Sequence, residues 1–298
     1  MKDWDKLRVF HAVAEAGSFT HAGDTLNLSQ SSVSRQIGAL EESLNAPLFH
    51  RHARGLRLTE TGETLYRTAK EVFAKLAMAE AMVSESRDRP KGPLRINTTV
   101  AFGSIWLTAR LKAFIDTYPE ISVTLLVSED ELDLSMGEAD VAIRMTPPRQ
   151  ADLVQRRLAT MRHHAFAAPS YLTEYGTPHR IDDLDSHRLI AYDGIQRPPY
   201  TQINWMLREG LAEGESRRPV LEVNTIYGMY RAAASGLGIA SLPDYLGQLA
   251  RDLVPVLPES EGPAFDIYFV YPEELRHSQR IAAFRDFLVG SVGSGGIY

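Results

Sequence analysis

Four residues on one predicted helix have side chains that can hydrogen bond to DNA: Gln30, Ser31, Ser34 and Arg35. An arginine can bind a guanine edge or a phosphate, and a glutamine at a helix start can bind adenine or donate to a phosphate. Because serine side chains are small, such a helix can approach a groove closely. An ordinary solvent-exposed helix face has the same composition, so this face alone leaves both interpretations open.

A basic segment follows this helix. Residues 47–58 alternate apolar and basic side chains around an Ala-Arg-Gly turn, which predicts a two-stranded wing. Arg51 and Arg54 lie near its tip, where they could contact the DNA backbone or the minor groove. Residues 43–59 contain three arginines, two histidines and no acidic residue, and concentrated positive charge favours phosphate binding. The alternative is a solvated basic loop.

A third group of residues follows predicted strands in the C-terminal two thirds of the chain. Ligands of open α/β sheets bind beyond the carboxyl ends of the strands, hydroxyls beside free helix N–H groups suit an anion, and an arginine can hold an anion with two hydrogen bonds. The sequence therefore predicts a cleft for a small, anionic molecule. The candidate residues are Thr98, Thr99, Phe102, Ser104, Ser128, Arg144, Asn224 and Thr225.

Several of these residues also have a structural interpretation. Thr99 or Ser104 could cap the helix that follows the first strand of this region. Arg144 could form a salt bridge between two lobes. Phe102 and Trp106 could form an aromatic wall, although core packing is the simpler expectation for Trp106.

Catalytic motifs are absent from the sequence. No Gly-x-Ser-x-Gly elbow, His-Glu-x-x-His helix or phosphate-binding loop occurs, and the chain has no cysteine, which excludes disulfides and thiol chemistry. The adjacent pair His163 and His164 would point to opposite sides of a strand, so we expect a structural role rather than a metal site. We expect no enzymatic activity, cofactor or metal.

The elements that position the first group are three short helices. Apolar residues three and four positions apart predict helices over residues 4–16, from Ser18 to Asn27 and from Ser29 to Leu44. A short helix, a tight turn and a longer helix form a helix-turn-helix. At about 100° per residue, the apolar stripe of the third helix lies opposite its serines and arginine.

A long helix is predicted from Glu60 to about Ser86. Its apolar residues follow a heptad pattern, which favours self-association over the alternative of a helix packed in a core. Two helix-turn-helix units on one dimer axis would reach successive turns of DNA. The residues of this seam are Leu65, Ala69, Val72, Leu76, Ala79 and Val83.

The rest of the chain alternates short strands with helices, so the fold class is α/β overall. The predicted strands include residues 121–127, 164–168 and 189–192, and a helix is predicted near residues 104–118. The predicted domains are a winged helix-turn-helix over 1–59, a linker helix over 60–88, a hinge over 89–93 and a two-lobed domain over 94–298. The first lobe comprises about 94–162 and 264–298, and the second about 163–263.

Composition limits the remaining classes. The length of 298 residues predicts two or three folding units. The composition, 44% hydrophobic and 23% charged, is typical of globular proteins. The net charge of −6 would argue against nucleic-acid binding, but residues 1–58 carry seven basic and six acidic side chains, so the negative charge lies in the rest of the chain. The acidic N-terminal residues and the absence of a long apolar stretch lead us to expect a cytoplasmic protein without membrane spans.

Several blocks of the N-terminal sequence resemble the winged helix-turn-helix of LysR-type transcriptional regulators. They are residues 10–20, 28–37, 47–49 and 58–62. The resemblance implies DNA contacts by Gln30, Ser31, Ser34 and Arg35, with Arg51 and Arg54 in the wing. Many members have proline where this chain has Ser31. At this position we therefore expect a hydrogen bond from the serine instead of a contact with a thymine methyl group.

The C-terminal region is similar to the effector-binding domain of the same family, which has the two-lobed fold of periplasmic solute-binding proteins. Residues 140–144 and 236–243 carry this similarity, and the glycine-cleavage-activator and LsrB-like branch looks closest. The resemblance implies a ligand-responsive regulator that binds promoter DNA as a homodimer or homotetramer, with RNA polymerase as a further candidate partner. The competing hypothesis is a solute-binding protein or cleft enzyme whose N-terminal helices only dimerise it.

Overall fold

The computed structural model describes residues 4–52, 55–84, 89–148, 152–193, 202–249, 251–260 and 262–293. The chain divides into two compact units. The first comprises Met1–Ala81 and Ser135–Gly137, and the second comprises Met82–Leu134 and Glu138–Tyr298. Within the described ranges, no helix has the length and apolar composition that a membrane span requires.

The first unit contains four helices and a hairpin in its described part. These elements are α1 (Trp4–Ala16), α2 (Phe19–Leu26), α3 (Gln30–Leu44), β1 (Phe49–His52), β2 (Gly55–Leu58) and α4 (Glu60–Ser84). The predicted caps are confirmed. The Ser18 hydroxyl accepts from the His21 N–H at 3.5 Å, Ser29 accepts from the Ser32 N–H at 3.2 Å, and Asn27 closes α2 in the left-handed conformation at φ 55°.

The core of this unit forms between the helices and the hairpin. Phe10 and Val13 of α1 and Val33 and Ile37 of α3 are fully buried, with the wing's Leu48 and part of α4 packed against them. The predicted apolar stripe of α3 is therefore its inner face. The Glu41 carboxylate accepts from the Leu48 N–H at 2.7 Å, which joins α3 to the start of the wing.

The second unit is built on one nine-stranded sheet, in agreement with the predicted α/β class. The strands are β3 (Gly92–Thr98), β4 (Ile121–Val127), β5 (Val141–Arg144), β6 (Leu153–Ala167), β7 (Leu189–Tyr192), β8 (Leu221–Val223), β9 (Ile239–Pro243), β10 (Val254–Val256) and β11 (Ala264–Pro272). The helices are α5 (Thr108–Thr117), α6 (Pro169–Tyr175), α7 (Ile226–Ala234), α8 (Asp244–Leu249) and α9 (Gln279–Gly293), and a π-helical turn spans Phe102–Leu107.

Two parallel groups of strands are joined by the long strand β6. β3 lies between β4 and β5 in one group, and β7 lies between β8 and β9 in the other. Residues 153–162 of β6 pair with β11, whereas residues 163–166 pair with β9. We refer to the two groups as lobe 1 and lobe 2, and β6 passes between them at Arg162 and His163.

A buried hydrogen-bond network lies where β6 enters lobe 2. His163 Nδ1 lies 2.7 Å from the Ser241 Oγ, and the Trp205 Nε1–H donates to the same oxygen at 2.8 Å. Because Trp205 occupies an acceptor position of the hydroxyl, Ser241 can donate its proton to a neutral His163. Burial lowers the pKa of His163 to about 3, so the ring stays neutral in the folded protein.

We expect His163 to make the protein less stable at mildly acidic pH. Since its folded pKa is about 3 and its ordinary value is 6.5, protons bind the unfolded chain first, and stability decreases as the pH falls below 6.5. Between pH 7 and pH 5 this group should lower the free energy of unfolding by about 2 kcal/mol. Denaturant unfolding of wild type and His163→Asn across this range measures it.

The matched control is His277→Asn, which removes an exposed histidine from the same unit. His163→Asn should flatten the pH dependence and His277→Asn should preserve it. Equal slopes in wild type and His163→Asn would show that this imidazole does not cause the acid sensitivity.

Candidate functional site

The outward face of α3 carries the residues predicted to contact DNA. Gln30, Ser31 and Arg35 are exposed and Ser34 is partly exposed. The Ser31 hydroxyl lies 3.1 Å from that of Ser29, the residue that caps the helix. Within the described ranges, Arg35 forms neither an ion pair nor a hydrogen bond, so its guanidinium is available to a partner.

The same face can approach a groove closely. A Cβ atom at Gly38 would have no heavy atom within 4 Å, so the helix surface is open at that point. Together with the serines, this glycine leaves little bulk between the α3 backbone and whatever lies against it. The geometry suits insertion into the major groove of B-DNA, which admits an α-helix.

The wing is an antiparallel hairpin in which His50 is opposite Arg57 and Arg51 is opposite Leu56. His50, His52 and Arg57 are exposed, so one side of the hairpin is basic and polar. Arg51 lies on β1 as predicted, and Arg54 lies outside the described residues. Arg57 was not singled out from the sequence, although its period-two spacing places it on the same side as His50.

The heptad seam of α4 is divided in the structure. Leu65 and Ala69 pack against the core of the first unit, with Ala69 only 1% exposed. Val72 and Leu76 are 36% and 41% exposed. The first turns of α4 therefore complete a core, whereas Val72 and Leu76 are exposed apolar residues, and self-association through them stays a prediction.

Several candidate hydroxyls of the cleft have hydrogen bonds within the protein. Thr98 is fully buried and donates to the Ile143 carbonyl at 3.2 Å. Ser128 accepts from the Asp130 N–H at 2.9 Å, and Thr225 caps α7 by accepting from the Gly228 N–H at 2.8 Å. Ser128 and Thr225 occupy their predicted positions after a strand and at a helix start, whereas Thr98 is the last residue of β3 rather than a residue after it. All three hydrogen bonds maintain the local backbone.

Arg144 is also held within lobe 1. Its guanidinium donates to the Asn97 side-chain oxygen at 2.6 Å and to the Leu132 carbonyl at 2.9 Å, and burial lowers its pKa. Both partners belong to lobe 1, so neither of these bonds is the inter-lobe salt bridge considered from the sequence. An incoming anion would have to compete with two short hydrogen bonds, which weakens the argument for an anionic ligand.

The remaining candidates differ in exposure. Thr99 and Asn224 are partly exposed and Ser104 is exposed. Helical backbone begins at Val100, directly after Thr99, and the Thr99 carbonyl accepts from the Gly103 N–H at 2.9 Å. Among the described residues, neither the Thr99 nor the Ser104 hydroxyl forms a hydrogen bond, so neither acts as the predicted side-chain cap. Both hydroxyls remain available to a ligand.

Aromatic rings line the inner side of this turn. The Phe102 and Trp106 rings stack at 4.8 Å, and Tyr245 of α8 meets Phe102 edge-on at 5.4 Å. Phe102 and Trp106 are at most 1% exposed, which agrees with core packing for Trp106 and makes Phe102 part of the same buried stack.

Glu129 is a residue that the sequence analysis missed. Its Oε1 is enclosed and has no hydrogen-bond partner among the described residues. Burial raises the pKa of Glu129, and the Val100 N–H opposes the rise. Burial, and then the charge of Glu129, raises the pKa of Tyr192 to about 12 and also raises that of Tyr245. Its position directly after Ser128, a predicted cleft residue, could have identified it from the sequence. It was passed over because residues of an acidic run are usually exposed to solvent.

Metal binding finds no support in the described ranges, which contain no cluster of three or more histidine or acidic side chains suited to an ion. The His163 ring is hydrogen-bonded to the Ser241 hydroxyl.

Comparison with known proteins matches both units to models of one family. Residues 4–63 match the bacterial regulatory helix-turn-helix protein of the LysR family, and residues 87–292 match the LysR substrate-binding domain. An HTH-type transcriptional regulator of Xanthomonas campestris pv. campestris is 32% identical over 295 residues, covering 96% of this chain and 85% of the relative.

Two solved full-length structures are also similar. The Vibrio cholerae virulence activator AphB, a member of the LTTR protein family, is 30% identical with a TM-score of 0.59, covering 97% of this chain and 99% of its own. CrgA, a LysR-type transcriptional regulator from Neisseria meningitidis, is 28% identical with a TM-score of 0.60, covering 98% and 100%. The glycine-cleavage-activator branch stays a prediction.

Proposed function

Since the chain belongs to the LysR family of bacterial transcriptional regulators, we propose that α3 enters the major groove of promoter DNA and that the wing contacts the flanking backbone. The protein is a ligand-responsive, DNA-binding transcriptional regulator. Its family consists of regulators rather than enzymes, so the competing hypothesis of a cleft enzyme or solute-binding protein is set aside.

The exposed face of α3 is the observation that supports this proposal. Arg35, free of protein partners in the described ranges, binds a guanine edge or a phosphate, and Ser31 and Ser34 hydrogen bond beside it. Gln30 lies at the helix start, where it contacts adenine or a phosphate. Arg51 and Arg54 of the wing add backbone or minor-groove contacts.

The regulator acts as a homodimer or homotetramer in this proposal. Val72 and Leu76 are exposed apolar residues on one face of α4, and an equivalent helix of a second copy would cover them. A protein that binds the bacterial chromosome works in the cytoplasm. RNA polymerase is a further partner if the regulator activates transcription.

The effector site of the proposal is the cleft between lobe 1 and lobe 2. Thr99 and Ser104 provide accessible hydroxyls, and the other candidates shape the cleft from both lobes. The residues assigned to this site are Thr98, Thr99, Phe102, Ser104, Ser128, Arg144, Asn224 and Thr225.

We expect Arg35→Ala to weaken promoter binding by about tenfold or more, because an arginine bound to two acceptors of a guanine contributes roughly 1–3 kcal/mol of discrimination. The salt dependence of binding should also become shallower, since one phosphate or base contact is lost. Fragments recovered by genome-wide mapping of the bound sites supply the probe. Fluorescence anisotropy at several salt concentrations measures both effects.

Arg8→Ala is the matched control, because it removes the same charge from an exposed position on α1. It should leave sequence preference unchanged. If Arg35→Ala binds the mapped fragments as tightly as wild type, α3 is not the helix that contacts the bases.

A further inference from the structure

Glu129 lies at a point where the two lobes face each other. It follows β4 of lobe 1, and its charge acts on two tyrosines of lobe 2, Tyr192 at the end of β7 and Tyr245 on α8. The Val100 N–H, at the start of the helical turn that carries Phe102, also acts on this carboxyl. Glu129 therefore belongs to the cleft that we assign to the effector.

This carboxyl group is poorly satisfied by the protein. Its Oε1 is enclosed without a hydrogen-bond partner among the described residues, and the acidic Asp130 raises its pKa further. The Val100 N–H bonds to this carboxyl group, but an enclosed acceptor atom with no partner of its own is costly, so Oε1 calls for a further hydrogen-bond donor. The missing partner is one that can donate a hydrogen bond.

The surroundings favour a positively charged donor. Glu129 begins the acidic run Glu129-Asp130-Glu131, which makes this side of the cleft electronegative. The Phe102 and Tyr245 rings meet edge-on at 5.4 Å and are 1% and 2% exposed, so they form a buried aromatic contact and offer no open face to a cation. The acidic run is therefore the feature that attracts a positive charge.

We propose that the effector carries a protonated amino group that binds the Glu129 carboxylate in the inter-lobe cleft. This inference rests on the proposed function, because it assigns the effector to the inter-lobe cleft. It differs from the anionic ligand predicted from the sequence. Arg144 is already bound by Asn97 and Leu132, and Glu129 would repel a carboxylate or a phosphate.

Matched probes of opposite charge test the proposal. The first pair is 2-phenylethylamine and 3-phenylpropanoate, and the second is propylamine and butanoate. Each pair shares its hydrocarbon part and differs in the charged group. Isothermal titration calorimetry on the full-length protein should give at least one amine an affinity about tenfold above that of its carboxylate twin, which is the order expected for a charge-assisted hydrogen bond.

Two variants assign the preference to this residue. Glu129→Gln keeps the size of the side chain but removes its charge, so the preference for the amine should disappear. Glu120→Gln is the control, because it neutralises an exposed glutamate at the other end of β4 and should preserve the preference. Thermal unfolding of both variants confirms that they fold.

The proposal is overturned if neither amine binds more tightly than its twin, if a carboxylate binds more tightly, or if Glu129→Gln keeps the preference. Promoter binding by the wild-type protein separates this failure from failure of the proposed function. If DNA is bound and the amine preference is missing, only the effector class is rejected. If the wild-type protein does not bind the mapped fragments, the proposed function itself is rejected.

Discussion

Gly62→Ala should abolish promoter binding by disrupting the fold of the N-terminal unit. A Cβ atom at this position would lie 2.1 Å from the Leu48 carbonyl oxygen and 3.1 Å from the Leu58 side chain. The carbonyl cannot move aside easily, because it accepts from the Thr59 N–H at 3.0 Å and the Leu48 N–H is bound to Glu41. We expect the free energy of unfolding of this unit to fall by about 3 kcal/mol, which is the upper end of the usual cost of overpacking.

The sign of this effect makes the prediction specific. Glycine in a helix is ordinarily about 1 kcal/mol less favourable than alanine, so the substitution would stabilise α4 if the packing allowed it. Gly38→Ala is the control, since a Cβ there meets open space and should raise stability. Denaturant unfolding followed by circular dichroism measures the stability of both variants, and anisotropy on promoter fragments measures DNA binding by Gly62→Ala. A Gly62→Ala protein with wild-type stability would show that this close contact between α4 and the wing can relax.

Local patterns predicted the N-terminal unit well. Ser18, Asn27 and Ser29 act within a few residues of their own positions, so helix starts and stops could be derived from the sequence. The rotation of α3 followed from helical geometry in the same way. The close approach of Gly62 to Leu48 joins residues fourteen positions apart. No periodic pattern in the sequence predicts this contact, so it is seen only in the folded structure.

The strands of the second unit were predicted where they are short and apolar. The bounds of β4 and β7 agree with the prediction at both ends. The predicted strand His164–Ala168 is instead the end of β6, which starts at Leu153. Its first half includes the exposed residues Gln155, Arg156 and Arg157, and this polar composition concealed the strand. The helix predicted over 104–118 begins earlier, at Val100, and continues into the π-helical turn from Phe102.

The cleft was the hardest part to derive, because partner choice depends on long-range geometry. Thr98 and Arg144 were chosen for their chemistry, and the structure gives both of them partners inside lobe 1. Glu129 was passed over because acidic runs are usually solvated. Its charge acts on Tyr192, which lies more than sixty positions further along the chain, and the sequence carries no local sign of this proximity.

Leu76→Glu should convert the assembled regulator into monomers. Leu65 and Ala69 are used by the core of their own unit, so the proposed dimer seam depends on the apolar residues that remain exposed, chiefly Val72 and Leu76. The substitution removes one leucine from each copy and places two negative charges near each other. We expect the dimer dissociation constant to rise by about 100-fold or more, since burying each of the two leucines contributes roughly 1.5–3 kcal/mol.

Ala77→Glu is the matched control, because it adds the same charge at an exposed neighbouring position outside the heptad seam. Sedimentation equilibrium over a range of concentrations measures the assembly, and circular dichroism verifies that each variant is folded. Loss of the dimer should also weaken binding to mapped sites with two half-sites, because the second α3 no longer binds at a high effective concentration. A dimer that survives Leu76→Glu but dissociates with Ala77→Glu would place the interface on a different face of α4.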